Sequence, residues 1–170
     1  GHEVAGDIVA LGPGANRKIW KEGQRVAVRM LYSCGECYNC RTGHTNMCTQ
    51  AQRKPVREGM IPGPGGLCDQ IVVSTKDLFL IPDGISYEEA SLTEPLACCV
   101  HSIEIGDIQL GDDVVVIGGG IMGINHVMLA KRKGARVIIS EVDEERRKLA
   151  LSLGADEAIN PMECDVVEKV

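Results

Sequence analysis

No stretch of this chain approaches the roughly 18–20 consecutive apolar residues that a membrane-spanning helix needs. It also lacks the basic excess that selects nucleic acid, because its net charge is -6 at pH 7. Neither partner class is expected. No secretory signal is visible in these residues, which says little for a chain that does not open on Met, and they hold no internal repeat or low-complexity segment. The chain opens at Gly1 in a strand-like run and stops inside "CDVVEKV" without a helix stop, so it reads as an internal fragment of a longer protein. Its 170 residues leave room for one medium domain or parts of two. With 25% charged residues and a mean hydropathy near zero, the composition is that of a soluble globular protein, and a cytoplasmic location is expected.

Cysteine is the residue in surplus, with eight. A small secreted scaffold uses disulfides to replace a poor core, yet this chain is rich in Val, Ile and Leu. Cys98 and Cys99 lie in an apolar helical stretch and read as buried thiols. A reducing compartment is favoured, where clustered cysteines more often hold metal. The cluster itself is Cys34, Cys37, Cys40 and Cys48, spaced C-x2-C-x2-C-x7-C. Disulfides, an iron–sulfur cluster and a zinc ion all compete for such a loop. A ferredoxin run would continue with x3-C-P, whereas Thr49 follows Cys48 here. Four thiolates in one loop suit a closed tetrahedral zinc site.

Along the chain, "HEVAGDIVALG" (2–12) predicts a strand and turn, and "GQRVAVRM" (23–30) a half-buried strand. "GLCDQIVVSTKDLFLIP" (66–82) predicts two short strands, preceded by the turn "IPGPGG" (61–66). Ser86 and Glu89 form a capping-box candidate, and the helical stretch after them is expected to break at Pro95. From residue 112 on, strand, helix, strand and helix alternate, with Gly134 and Gly154 as C-cap glycines. That order predicts a parallel sheet with right-handed crossovers. The chain is thus expected to be β-rich over 1–93 and the start of an α/β domain over 94–170.

In "VVVIGGGIMG", Gly118, Gly120 and Gly123 stand in G-x-G-x-x-G register. An apolar strand precedes them, a helix follows, and a second strand ends in Glu141. This is the dinucleotide-binding pattern. Gly118 permits the tight turn, Gly120 lets the backbone approach a pyrophosphate, and Gly123 allows close helix–strand packing. The helix start, with Ile121 and Met122, offers N–H groups to the anion. Glu141 is expected to accept the adenosine ribose hydroxyls and to repel a 2′-phosphate, which favours NAD over NADP. Arg146 and Arg147 argue the other way, but Asp143, Glu144 and Glu145 crowd the same turn. The cofactor-binding candidates are Gly118, Gly120, Ile121, Met122, Gly123, Glu141 and Arg146. A glycine-rich turn without a ligand is the alternative.

Taken together, "GHE" at 1–3, the cysteine lobe at 33–49, "EPLA" at 94–97 and "GGGIMG" at 118–123 stand in one order. In that order the chain resembles the zinc-dependent medium-chain dehydrogenases. The resemblance spans its whole length and is strongest toward the sorbitol (polyol) and threonine dehydrogenase branch. It implies a partial GroES-like catalytic domain followed by a partial Rossmann-type, doubly wound domain, an α/β protein overall. It also implies a structural zinc on Cys34, Cys37, Cys40 and Cys48, and a catalytic zinc on His2, Glu3 and Glu94, with Glu3 a direct ligand or an adjacent carboxylate that exchanges with water. Cys68 and Cys164 match no ligand position, His44 reads as a solvated loop residue, and His101 as a packed or supporting one. The family's first catalytic ligand, a cysteine upstream of the GHE motif, and the nearby proton-relay hydroxyl lie outside this chain.

The activity implied is hydride transfer between a secondary, polyol-like alcohol and NAD, in a homo-oligomer (dimer or tetramer). Threonine or butanediol dehydrogenase is the sibling reading. A zinc-binding interaction module without catalysis is the rival from another class, and a zinc-free quinone reductase is a further one.

Overall fold

The computed structural model describes residues 1–51 and 65–170, and most of the turn expected at 61–66 lies outside them. The chain divides into two compact units, Gly1–Glu94 and Pro95–Val170.

In the first unit, β1 (Glu3–Asp7), β2 (Arg25–Arg29) and β3 (Leu78–Leu80) form an antiparallel sheet in that order. β2 lies in the middle, so Val26 and Val28 are buried on one face with Ile8, Trp20 and Leu78 around them. Ala27 between them is buried too, so β2 is covered on both faces instead of one. Only one of the two strands expected over 66–82 forms among the described residues. Ile71 and Val73 pack against the Val26–Val28 cluster while Val72 is 88% exposed. The alternation is present, but no strand partner pairs with it. Thr75–Asp77 is a single 3-10 turn leading into β3.

Short helices α1 (Tyr38–Arg41) and α2 (Tyr87–Ser91) complete the first unit, with a 3-10 turn at Thr45–Met47. The α2 capping box forms: Glu89 N–H donates to Ser86 Oγ at 3.1 Å, and Ser86 N–H to Glu89 Oε2 at 2.8 Å. Tyr87 Oη donates to Asp7 Oδ1 at 2.6 Å, and the Arg25 guanidinium lies 4.5 Å from the Tyr87 ring centroid. α2 is thereby tied to β1 and β2.

The helix break falls at Leu92, not at Pro95. Leu92 caps α2, and α3 (Thr93–Ile105) starts at the next residue. Pro95 therefore occupies the first turn of α3, where an N–H has no i−4 acceptor and its loss costs nothing.

In the second unit, β4 (Asp113–Ile117), β5 (Arg136–Ser140) and β6 (Glu157–Ile159) form a parallel sheet in chain order. Helices α4 (Ile121–Arg132) and α5 (Glu144–Ser152) connect them, and α6 (Val166–Lys169) follows. Neither β6 nor α6 is announced by the hydrophobic pattern. Val137, Ile138 and Ile139 of the central strand are fully buried, as parallel strands covered on both faces require. Each such side chain contributes about 1.5–3 kcal/mol by leaving water. Val127 and Ala130 of α4 and Ala150 of α5 close over Val137 and Ile139. Gly134 and Gly154 follow the two helices with φ of 86° and 110°, which terminates each without the strain a Cβ would bring.

Candidate metal centres and dinucleotide turn

The cysteine lobe grows from β2 through Ser33. Its four sulfurs, from Cys34, Cys37, Cys40 and Cys48, all lie within 4.8 Å of one another, and none is in a disulfide. A tetrahedral ion about 2.3 Å from each sulfur requires sulfurs about 3.8 Å apart. Cys34 Sγ and Cys40 Sγ are 3.9 Å apart, so the donor set fits zinc. Backbone N–H groups turn inward as well: Cys37 and Glu36 donate to Cys34 Sγ at 3.3 and 3.4 Å, and Cys34 and Gln50 to Cys48 Sγ at 3.4 Å. Such donors stabilise thiolate. The amides of Cys40 and Thr49 draw the Cys37 thiol down to about 6, and that of Cys34 lowers Cys48. Loss of solvent pushes Cys40 up to about 11. Lys76 Nζ donates to the carbonyl of buried Ser33 at 3.3 Å, fastening the base of the lobe.

Glu3 opens β1 with His2 directly before it, and Glu94 lies in the first turn of α3. One ligand atom from each falls within 4.8 Å of the others, with His2 Nε2 3.5 Å from Glu94 Oε2. His2 and Glu3 are exposed and Glu94 is half-buried. One imidazole and two carboxylates suit an open zinc site, in contrast to the closed four-sulfur one.

In the second unit, Gly118 has φ 92° and donates its N–H to the Ser140 carbonyl at 2.8 Å, joining the glycine turn to the end of β5. A Cβ on Gly123 would be driven into the Gly118 carbonyl oxygen. At Gly120, the N-cap of α4, a Cβ would meet nothing within 4 Å. The chain therefore has room beside Gly120, and the N–H groups of Ile121, Met122 and Gly123 begin a helix that leaves its first amides without helical partners. Glu141 lies directly past β5 and is 6% exposed. Its carboxyl is held below the usual carboxylate range, chiefly by the backbone N–H of Asp143 and then by that of Gly119. Arg146 adds a favourable charge, while Arg147 donates to the Glu141 and Val142 carbonyls at 2.8 and 2.7 Å and so faces the backbone.

Residues 1–83 match the family model "Alcohol dehydrogenase GroES-like domain", and residues 122–170 match "Zinc-binding dehydrogenase". The chain belongs to the zinc-type medium-chain dehydrogenases. It is 34% identical over 171 residues to a sorbitol dehydrogenase of Bacillus subtilis (strain 168), covering all of this chain and 47% of the relative. It is 37% identical over 171 residues to an L-threonine 3-dehydrogenase of Pyrococcus horikoshii, with the same two coverages. Among solved structures, one described as a zinc-binding dehydrogenase from Sinorhizobium meliloti 1021, bound to NADP, superposes with a TM-score of 0.87 at 32% identity. That match covers 99% of this chain and 48% of the other. Another, described as a short chain alcohol dehydrogenase from Escherichia coli CFT073 with NADH, gives 0.82 at 29% identity, covering 99% and 48%. The chain spans about half the length of the curated relatives it matches.

Other residues of the chain take plainer positions. His44 Nδ1 is 3.2 Å from Thr42 Oγ1 within the exposed lobe, and His101 is exposed on α3. Cys68 is exposed with its thiol 3.0 Å from the Gly65 carbonyl, and Cys164 Sγ is 3.5 Å from the Asn160 carbonyl. Cys99 is fully buried, which pushes its thiol pKa up, whereas Cys98 is exposed, contrary to the expectation of two buried thiols. The helix presents these neighbours to different sides. The sequence reading assigned no role to Gly119 and read Asp143 only as a negative charge, yet the amides of both meet the Glu141 carboxylate. For Gly119, the middle glycine of "GGG" was the available signal.

Proposed function

We propose that the protein is a zinc-dependent oxidoreductase that transfers hydride between a secondary, polyol-like alcohol and NAD. The observation that carries this reading is the convergence of His2, Glu3 and Glu94 on one point at the start of β1 and α3. The open nitrogen–oxygen donor set distinguishes a working metal site from the four-sulfur site that holds a loop. A zinc ion held there supplies Lewis acidity that makes an alcohol hydroxyl more acidic. His2 contributes a neutral imidazole nitrogen, and Glu94 and Glu3 contribute negative charge. Cys34, Cys37, Cys40 and Cys48 hold the second zinc and fix the lobe. Gly118, Gly120, Ile121, Met122, Gly123, Glu141 and Arg146 form the dinucleotide site, with the α4 amides facing the pyrophosphate. The buried negative charge of Glu141 favours NAD over NADP. The protein works as a cytoplasmic homo-oligomer on small-molecule substrates.

Likeness to L-threonine 3-dehydrogenases supports a sibling reading in which the alcohol is that of threonine. The test is NADH formation across a panel of sorbitol, other polyols, butanediol and threonine, with zinc content measured in parallel. About two zinc ions per chain and turnover of one alcohol class are expected. Zinc binding without dinucleotide affinity would mark a non-catalytic module instead.

A further inference from the structure

We infer that Glu141 and Gly119 form a latch that sets the glycine turn before any dinucleotide arrives, so that Glu141 is a positioning residue for the phosphate-binding backbone. The inference rests on the dinucleotide reading of this turn. Gly119 N–H donates to Glu141 Oε2, and Asp143 N–H donates to Glu141 Oε1 at 2.8 Å. One carboxylate thus joins the β4–α4 turn to the β5–α5 turn. At 6% exposure its bonds are shielded from water, and bonds to an ionised acceptor are stronger than neutral ones. A carboxylate has about four lone-pair sites, so two such bonds leave capacity for ribose hydroxyls.

A second observation points the same way. Gly119 is not among the glycines with positive φ, so its backbone angle does not demand glycine. The latch does. A Cβ at Gly119 would lie 3.0 Å from both Cγ and Oε2 of Glu141, and 3.2 Å from Arg146 Cβ. The position that G-x-G-x-x-G leaves open is fixed here by the carboxylate behind it. It follows that removing the carboxylate loosens the turn for NAD and NADP alike, in addition to its effect on the choice between them.

Two variants test this, Glu141→Gln and Gly119→Ala. Gln offers a single acceptor oxygen and turns an NH₂ toward the other amide, so it cannot satisfy both. Gly119→Ala keeps the carboxylate but displaces it, and serves if the first variant fails to fold. Amide hydrogen exchange at residue 119 is read in the ligand-free protein. Affinities for ADP and for 2′,3′-dideoxy-ADP, which lacks the ribose hydroxyls, are read by calorimetry. In Glu141→Gln the Gly119 amide is expected to exchange about tenfold faster or more, and both nucleotides to weaken by about tenfold or more. Unchanged exchange overturns the latch. So does a loss confined to ADP, which would leave Glu141 a ribose acceptor only. A wild-type protein that binds neither nucleotide refutes the dinucleotide reading, while Gly119 exchange still decides the latch.

Discussion

Replacing Cys37 by Ser changes one of four sulfurs whose mutual spacing suits a zinc ion. The amides of Cys40 and Thr49 already hold Cys37 as a thiolate near neutral pH, and a serine hydroxyl there stays protonated. The site then offers three anionic sulfurs and one neutral oxygen. Sharing the apparent binding free energy of a structural zinc equally over four thiolates makes each worth roughly two to three powers of ten in affinity. Zinc at the lobe should therefore weaken by about 100- to 1,000-fold. Competition with a chromophoric chelator measures this directly, and total zinc should fall from about two ions per chain to about one. Limited proteolysis should cut the lobe between Ser33 and Thr49, because the N–H groups of Cys34, Glu36, Cys37 and Gln50 converge on the sulfurs. The parallel sheet of the second unit shares no residue with the lobe and should keep its exchange protection. Unchanged zinc content with unchanged protease resistance would refute the argument. Loss of both ions together would refute the independence of the two sites.

His2→Ala should remove the other zinc and abolish alcohol oxidation while NAD affinity stays within about twofold, since the glycine turn uses other residues; the check is zinc content beside NAD titration, and lost NAD affinity would contradict it. Gly120→Ala should fold with unchanged or slightly raised stability, because a Cβ meets nothing there and φ is -70°, yet bind NAD at least about tenfold more weakly. Gly123→Ala should lose both stability and binding, because its Cβ collides with the Gly118 carbonyl; thermal melts and NAD titration of the two variants should separate them. Asp156 is held below its ordinary value by Lys131 first and by the Val137 N–H next. A depressed folded pKa gives stability that is complete above the unfolded value, near 3.8, and is lost as pH falls through the folded one. Asp156→Asn should therefore melt below wild type at neutral pH, with the gap closing under acid; a gap of constant size would contradict it.

The features legible in the chain alone are those whose cause is local. The Ser86–Glu89 capping box, the helix ends at Gly134 and Gly154 and the buried run Val137–Ile139 each depend on a few neighbouring residues, and residue type at fixed spacing is enough to announce them. The cysteine spacing is local too, since one short loop brings all four sulfurs together. Partner-dependent features were decided only by the tertiary structure. Ile71 and Val73 alternate as a strand does, but a strand needs a neighbour to share its N–H and C=O groups, and none pairs there among the described residues. Pro95 suggests a break, yet a proline in a first helical turn gives up no bond, so the interruption settled at Leu92. His2 and Glu94 stand at opposite ends of the first unit's sequence, and only folding brings Nε2 and Oε2 to 3.5 Å. The double engagement of Glu141 likewise requires two separate turns to meet at one carboxylate, a fact that spacing along a chain does not contain.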